Sequence, residues 1–106
     1  MAPGAVLGEL EYLIMLAVLQ LGDAADAVEV RERLRTRAGR ALSRGTIYTT
    51  LDRLVRKGHL DWRTDELTSE TGGVPRRVFR ATLGGRREVA RSARAIERLS
   101  EGLSLS

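Results

Sequence analysis

The residues able to do chemistry gather in one short run. Ser43, Arg44, Gly45, Thr46, Tyr48, Thr49 and Arg53 stand close together and offer small hydroxyls, a phenol and forked guanidinium groups. At about 100° per residue, Ile47, Leu51, Leu54 and Val55 share one apolar helical face, while Gly45, Thr49, Asp52, Arg53 and Arg56 share the opposite one. Guanidinium groups fork onto phosphate oxygens and guanine edges, and hydroxyls reach either. This is the chemistry of reading a polyanion, not of breaking a bond. A second basic pair, Arg76 and Arg77, lies in a strand-like run. Side chains alternate along a strand, so one of the two is expected to meet phosphate and the other to pack or face water.

Catalytic chemistry lacks its parts. The chain has one His and no Cys. No nucleophile–base set, phosphate loop, dinucleotide fingerprint or metal-ligand spacing can be assembled, so no enzyme, cofactor or metal is expected. His59 stands alone and reads as a partly exposed structural residue. Trp62 and Phe79 read as hairpin packing rather than as a ligand box.

With 106 residues the chain fits one domain, and 42% hydrophobic residues exclude wholesale disorder. The net charge of +4 conceals blocks: −4 over residues 1–26, +6 over 27–57, −3 over 58–70 and +5 over 71–106. A basic middle block in a small chain points to nucleic acid. No Lys or Arg precedes Arg31, so the apolar stretch near the start does not read as a signal peptide. No apolar run is long enough for a membrane span, and the lack of Cys fits a reducing cytosol; a cytoplasmic location is expected.

The elements that must position these residues follow from period and punctuation. Residues 1–8 read as a flexible arm. Leu10 to Leu21 is apolar nearly all round, which requires burial on every side; its outer side calls for a second subunit. A second helix spans Ala27–Ala38, capped by Asp26 and stopped by Gly39, with Val30, Leu34 and Val28 as its inner stripe. A third opens at Ser43 and runs to Lys57, with Gly58 closing it. Leu60–Thr64 and Val74–Ala81 alternate as strands of a hairpin around a turn at Thr68–Gly73. Thr82 caps a last helix from Leu83 to Glu101, whose first turn Gly84 and Gly85 weaken. Val89, Ile96 and Leu103 recur every seven residues, with Leu99 in the seam.

Helix, helix, helix, hairpin, helix is the layout of a winged helix-turn-helix. The expected fold class is mainly α with a β-hairpin wing, extended by a C-terminal dimerisation helix. The divisions are an arm at 1–8, a DNA-binding domain at 9–82, and a dimerisation helix with a short tail at 83–106.

The stretch from Leu42 to Leu60, with Ser43, Tyr48, Leu51, Leu54 and Gly58 at their spacings, resembles the signature of PadR-family transcriptional regulators. The stretch from Pro75 to Arg86, with its basic pair, Phe79, Thr82 and Gly85-Arg86, resembles that family's second signature. The short single C-terminal helix is similar to the compact branch of the family. The resemblance implies a homodimeric repressor on an inverted repeat, dimerising through its first and last helices. It departs from many relatives in carrying Arg44 and Thr49 where they have Pro, and Val78 where they have an aromatic residue. No aromatic follows Phe79, so the flat-ligand sandwich of some multidrug-sensing relatives has no counterpart on the last helix.

The function expected is therefore sequence-specific transcriptional regulation. The DNA contacts expected are Ser43, Arg44, Gly45, Thr46, Tyr48, Thr49, Arg53, Arg76 and Arg77. The dimer contacts expected are Leu10, Leu13, Leu16, Ala17, Val89, Ile96, Leu99 and Leu103. The partners are double-stranded DNA and a second copy of the chain, with a small-molecule effector left open and no membrane. The alternative is a winged-helix interaction module whose basic face meets an acidic protein.

Overall fold

The computed structural model describes residues 7–65 and 75–105. Most of the arm expected at 1–8, the hairpin turn and Val74 lie outside the described residues. The element order is α1 (Glu9–Leu21), α2 (Ala27–Ala38), α3 (Arg44–Arg56), β1 (Leu60–Asp65), β2 (Arg76–Ala81) and α4 (Leu83–Ser100). No helix among the described residues is long and apolar enough to cross a membrane.

Local chemistry explains the boundaries. Asp26 accepts from the Glu29 amide at 2.8 Å, and the Glu29 carboxylate accepts from the Asp26 amide at 3.2 Å, a reciprocal cap that starts α2. Gly39 ends it at φ 66°, a left-handed position that suits glycine. Ser43 Oγ accepts from the Thr46 amide at 3.1 Å and starts α3. Thr82 does the same for α4 through the Gly85 amide.

Ile14, Met15 and Val18 of α1, Val30 and Leu34 of α2, Ile47, Leu51 and Leu54 of α3, Leu60 of β1, Phe79 of β2 and Val89 of α4 form one core. The inner stripe of α2 differs from expectation by one position: Ala27 is buried and Val28 is exposed. Ala27, Val30 and Leu34 share one side of the helix, and Val28 is rotated off it. The strands pair antiparallel, with Trp62 opposite Phe79 and Asp65 opposite Arg76. Ala25 pairs with Phe79 on the other edge of β2, exchanging backbone bonds at 2.8 and 3.3 Å. The wing is thus laced to the α1–α2 connection as well as to α3.

His59 is buried, not partly exposed. Its amide donates to Leu54 O, and its carbonyl accepts from Thr82 N, so it sits where α3, β1 and α4 converge. The helical heptad also stops short. α4 ends at Ser100 and Gly102 follows at φ 77°, which puts Leu103 beyond the helix.

Candidate nucleic-acid interface

The first turn of α3 is held by hydroxyls. Ser43 Oγ caps the Thr46 amide and donates to Thr46 Oγ1 at 2.9 Å. Thr50 Oγ1 donates to the Thr46 carbonyl at 2.8 Å, which satisfies a hydroxyl buried beneath the helix. The apolar positions below hold the helix down, so its other face stands outward. Gly45, Tyr48, Thr49, Arg53 and Arg56 are all exposed there. Ser43, Gly45, Thr46, Thr49 and Arg53 line one open hollow of about 530 Å³ beside Leu10 of α1. Arg44 and Tyr48 lie on the other flank, toward α2. Among the described residues, Arg44, Arg53 and Arg56 make no ion pair.

The C-terminal end of α3 is anchored to α1. Lys57 Nζ lies 2.8 Å from both carboxylate oxygens of the buried Glu11. Glu11 also accepts from the Gly8 amide at 2.8 Å. Burial pushes the Glu11 carboxyl up, but the bonds from Lys57 and Gly8 and the charges of Lys57 and Arg53 outweigh it. The carboxyl titrates below its ordinary range.

The wing arginines both lie against carboxylates of the protein, and Arg77 also packs on the wing's rings, as expected for one of the pair. The Arg76 guanidinium bonds Asp26 at the cap of α2, lies 3.6 Å from Glu29, and reaches Asp65 of β1 at 3.2 Å. Arg77 bonds Asp52 of α3 at 3.0 Å and stacks over the rings of Trp62 and Phe79, 4.3 and 4.8 Å from their centres. Both guanidinium groups are occupied by the protein's own carboxylates. Arg80 is likewise paired, with Asp61 at 2.9 Å. Arg63 on β1 is the exposed wing cation that makes no ion pair among the described residues.

The expected dimer residues fall into three sets. Ala17 and Val89 lie inside the protomer's own core, so they do not offer a free surface. Leu10, Leu13 and Leu16 are half-buried against that core. Ile96, Leu99 and Leu103 are open, Leu99 at 81% exposure. Ile96 and Leu99 continue the side of α4 that carries Gly85, Glu88 and Val89 into the body, but beyond the point where the body supports it. No group of residues that could hold a metal ion occurs among the described residues.

The profile of the transcriptional regulator PadR-like family matches residues 15–91, which takes in both signature stretches whole. The chain belongs to that family. PadR-like regulators of known structure share its fold. An X-ray structure of a PadR-like transcription factor from Bacteroides fragilis is 29% identical with a TM-score of 0.71, covering 87% of this chain and 84% of that one. A PadR family transcriptional regulator from Eggerthella lenta is 27% identical with a TM-score of 0.69, covering 89% and 81%. Bacillus subtilis PadR, crystallised with operator DNA, is 15% identical with a TM-score of 0.67, covering 90% of this chain and 61% of its own. No curated protein sequence matches the chain. The PadR-like membership makes this a DNA-binding transcriptional regulator with a winged-helix fold.

Proposed function

We infer that the chain acts as a homodimeric repressor, each protomer seating α3 in the major groove of one half of an inverted-repeat operator. The observation that carries this reading is the outward face of α3, with exposed Gly45, Tyr48, Thr49 and Arg53 and cations that no carboxylate of the described residues claims. Such cations are free to exchange counterions for phosphates. Thr46, Thr49 and Arg53 face base edges, and the Tyr48 hydroxyl and Arg44 meet the backbone. The Ser43 side chain is spent on the cap; its part is to aim the free amides of Arg44 and Gly45 at a phosphate. Arg76 and Arg77 act as positioning residues that fix the wing against α2 and α3. The operator complex of Bacillus subtilis PadR supports duplex DNA as the partner.

The dimer rests on the half-buried Leu10, Leu13 and Leu16 and the open Ile96, Leu99 and Leu103. A two-fold pair would set its recognition helices roughly 34 Å apart, one turn of DNA. The test is a mobility-shift titration on the DNA upstream of the protein's own gene, with scrambled duplex as competitor at two salt concentrations. A discrete complex that survives excess competitor is expected. Equal, salt-labile binding to both duplexes would sink sequence-specific regulation and favour an acidic protein partner for the basic face.

A further inference from the structure

We propose that the outward side of α4 binds the phosphate backbone of a second duplex segment, so that the protein holds two stretches of DNA at once. Arg87, Arg91, Arg94 and Arg98 recur along this helix at steps of four, three and four residues. At about 100° per residue they fall within about 60° of its circumference, along about 16 Å of its axis. All of them are exposed. They lie opposite Gly85 and Val89, which face the body. Arg91 bonds the buried Glu88, while Arg87, Arg94 and Arg98 make no ion pair among the described residues. Like charges at these spacings weaken a helix, and an anion laid along the stripe relieves them.

Phosphate is the anion that this side fits. Guanidinium forks take phosphate oxygens in pairs. A duplex carries one charge per about 1.7 Å of axis, so about 16 Å of it offers about nine phosphates to the stripe. Arg87, Arg91 and Arg94 also line an open hollow of about 540 Å³ beside His59, which leaves a phosphate strand room to approach. A protein partner would need an apolar or aromatic anchor at the centre of the contact. This side has no such anchor: Leu83 and Ala90 only flank it, and no aromatic residue follows Phe79.

The segment is distinct from the one on α3. α3 packs on α1, α2 and β1, whereas α4 packs chiefly on α1 and β2, so α1 stands between their outward sides. A straight duplex seated on α3 therefore passes the stripe by. The inference goes beyond the operator reading and does not need it, because backbone contacts carry no sequence information.

The stripe is tested on the full-length chain with α3 disabled by Thr49→Glu and Arg53→Glu, using a random-sequence duplex of roughly two helical turns at low salt. Titration of nitrogen-labelled protein should shift the amides of Arg87, Arg91, Arg94 and Arg98 saturably. Adding Arg87→Gln and Arg94→Gln should weaken this binding about tenfold or more and lower its salt slope by about 1.8. With α3 intact, protein held on immobilised DNA from upstream of its own gene should capture a dye-labelled random duplex. The two Gln changes should cut that capture about tenfold and leave the first binding within about twofold. No duplex binding by the α3-disabled chain, shifts that avoid α4, or equal affinity for polyglutamate would each overturn the stripe. Capture that survives the Gln changes would overturn the second segment. Stripe binding by a chain that prefers no duplex would support this surface and would count against the operator reading alone.

Discussion

Gly85 and His59 approach so closely that a Cβ built on Gly85 would lie 2.1 Å from the His59 carbonyl oxygen. The same atom would lie 2.9 Å from Met15 Cε. The start of α4 is therefore pressed onto the α3–β1 junction and α1 at once. The junction is closed by Thr82, whose amide donates to His59 O at 3.0 Å and whose hydroxyl donates to Gly58 O at 2.6 Å. A glycine inside a helix gives up about 1 kcal/mol relative to alanine, and here the close approach offsets that loss.

The neighbouring glycines should respond in opposite directions. Gly85→Ala must push backbone against backbone, and a loss of about 2–4 kcal/mol is expected. A Cβ on Gly84 meets Thr82 Oγ1 at 3.8 Å, which is ordinary contact. Gly84→Ala should therefore stabilise by about 0.5–1 kcal/mol. Denaturant melts of the two variants decide this; similar midpoints would show that the approach at Gly85 relaxes freely.

Glu11 predicts an acid limb in stability. Its carboxyl titrates lower in the folded chain than in the unfolded one, despite burial, because Lys57 and Gly8 bond the charged form. A depressed carboxylate stabilises fully above its unfolded value near 4.5 and loses that contribution as pH falls through the lower folded value. Glu11→Gln keeps an acceptor for the Gly8 amide but removes the charge that Glu11 sets against Lys57. It should cost about 1–3 kcal/mol at neutral pH. The variant should also flatten the decline in stability as pH falls below the ordinary carboxylate range. A parallel decline in both proteins would remove Glu11 from the account.

What could be read in the chain was local. Asp26, Gly39, Ser43 and Thr82 marked helix ends because capping acts over three or four residues. The long-range partners were hidden. The sequence could not show the carboxylates of the wing pair, because Asp26 lies 50 positions from Arg76 and Asp52 lies 25 from Arg77. Ala25 carries no strand pattern of its own, since a single bridging residue has no period. Val28 was set in the core of α2 by its hydrophobicity, although helical geometry gives that place to Ala27. Leu103 continued a seven-residue count that Gly102 interrupts.

The C-terminal half of α4 should hold the dimer together. Ile96 and Leu99 lie on the side that the body supports only as far as Val89. Because Leu99 touches little of its own protomer, Leu99→Glu should leave the fold intact and yield a monomer. Sedimentation equilibrium and a thermal melt read the two properties separately. A dimeric mass for this variant would move the interface to α1, where Leu10, Leu13 and Leu16 remain half-covered.

Salt dependence separates cations that meet phosphate from cations that hold the wing. Each phosphate a cation neutralises adds about 0.9 to the slope of log K against log salt concentration. Arg44, placed at the backbone, stands exposed at the start of α3 without an ion pair among the described residues. Arg44→Gln should therefore lower the slope by about 0.9 for the phosphate that Arg44 neutralises. Arg76 is bound to Asp26 and Asp65 instead. Its loss takes a guanidinium from two largely buried carboxylates, so Arg76→Gln should destabilise the chain by about 1–2 kcal/mol. It should weaken DNA binding only through a misplaced wing, with the slope unchanged. If Arg76→Gln instead lowers the slope while the melting temperature stays put, Arg76 leaves its carboxylates for the DNA backbone, and Arg77, the Ala25–Phe79 bridge and the buried Leu60 and Phe79 are enough to hold the wing.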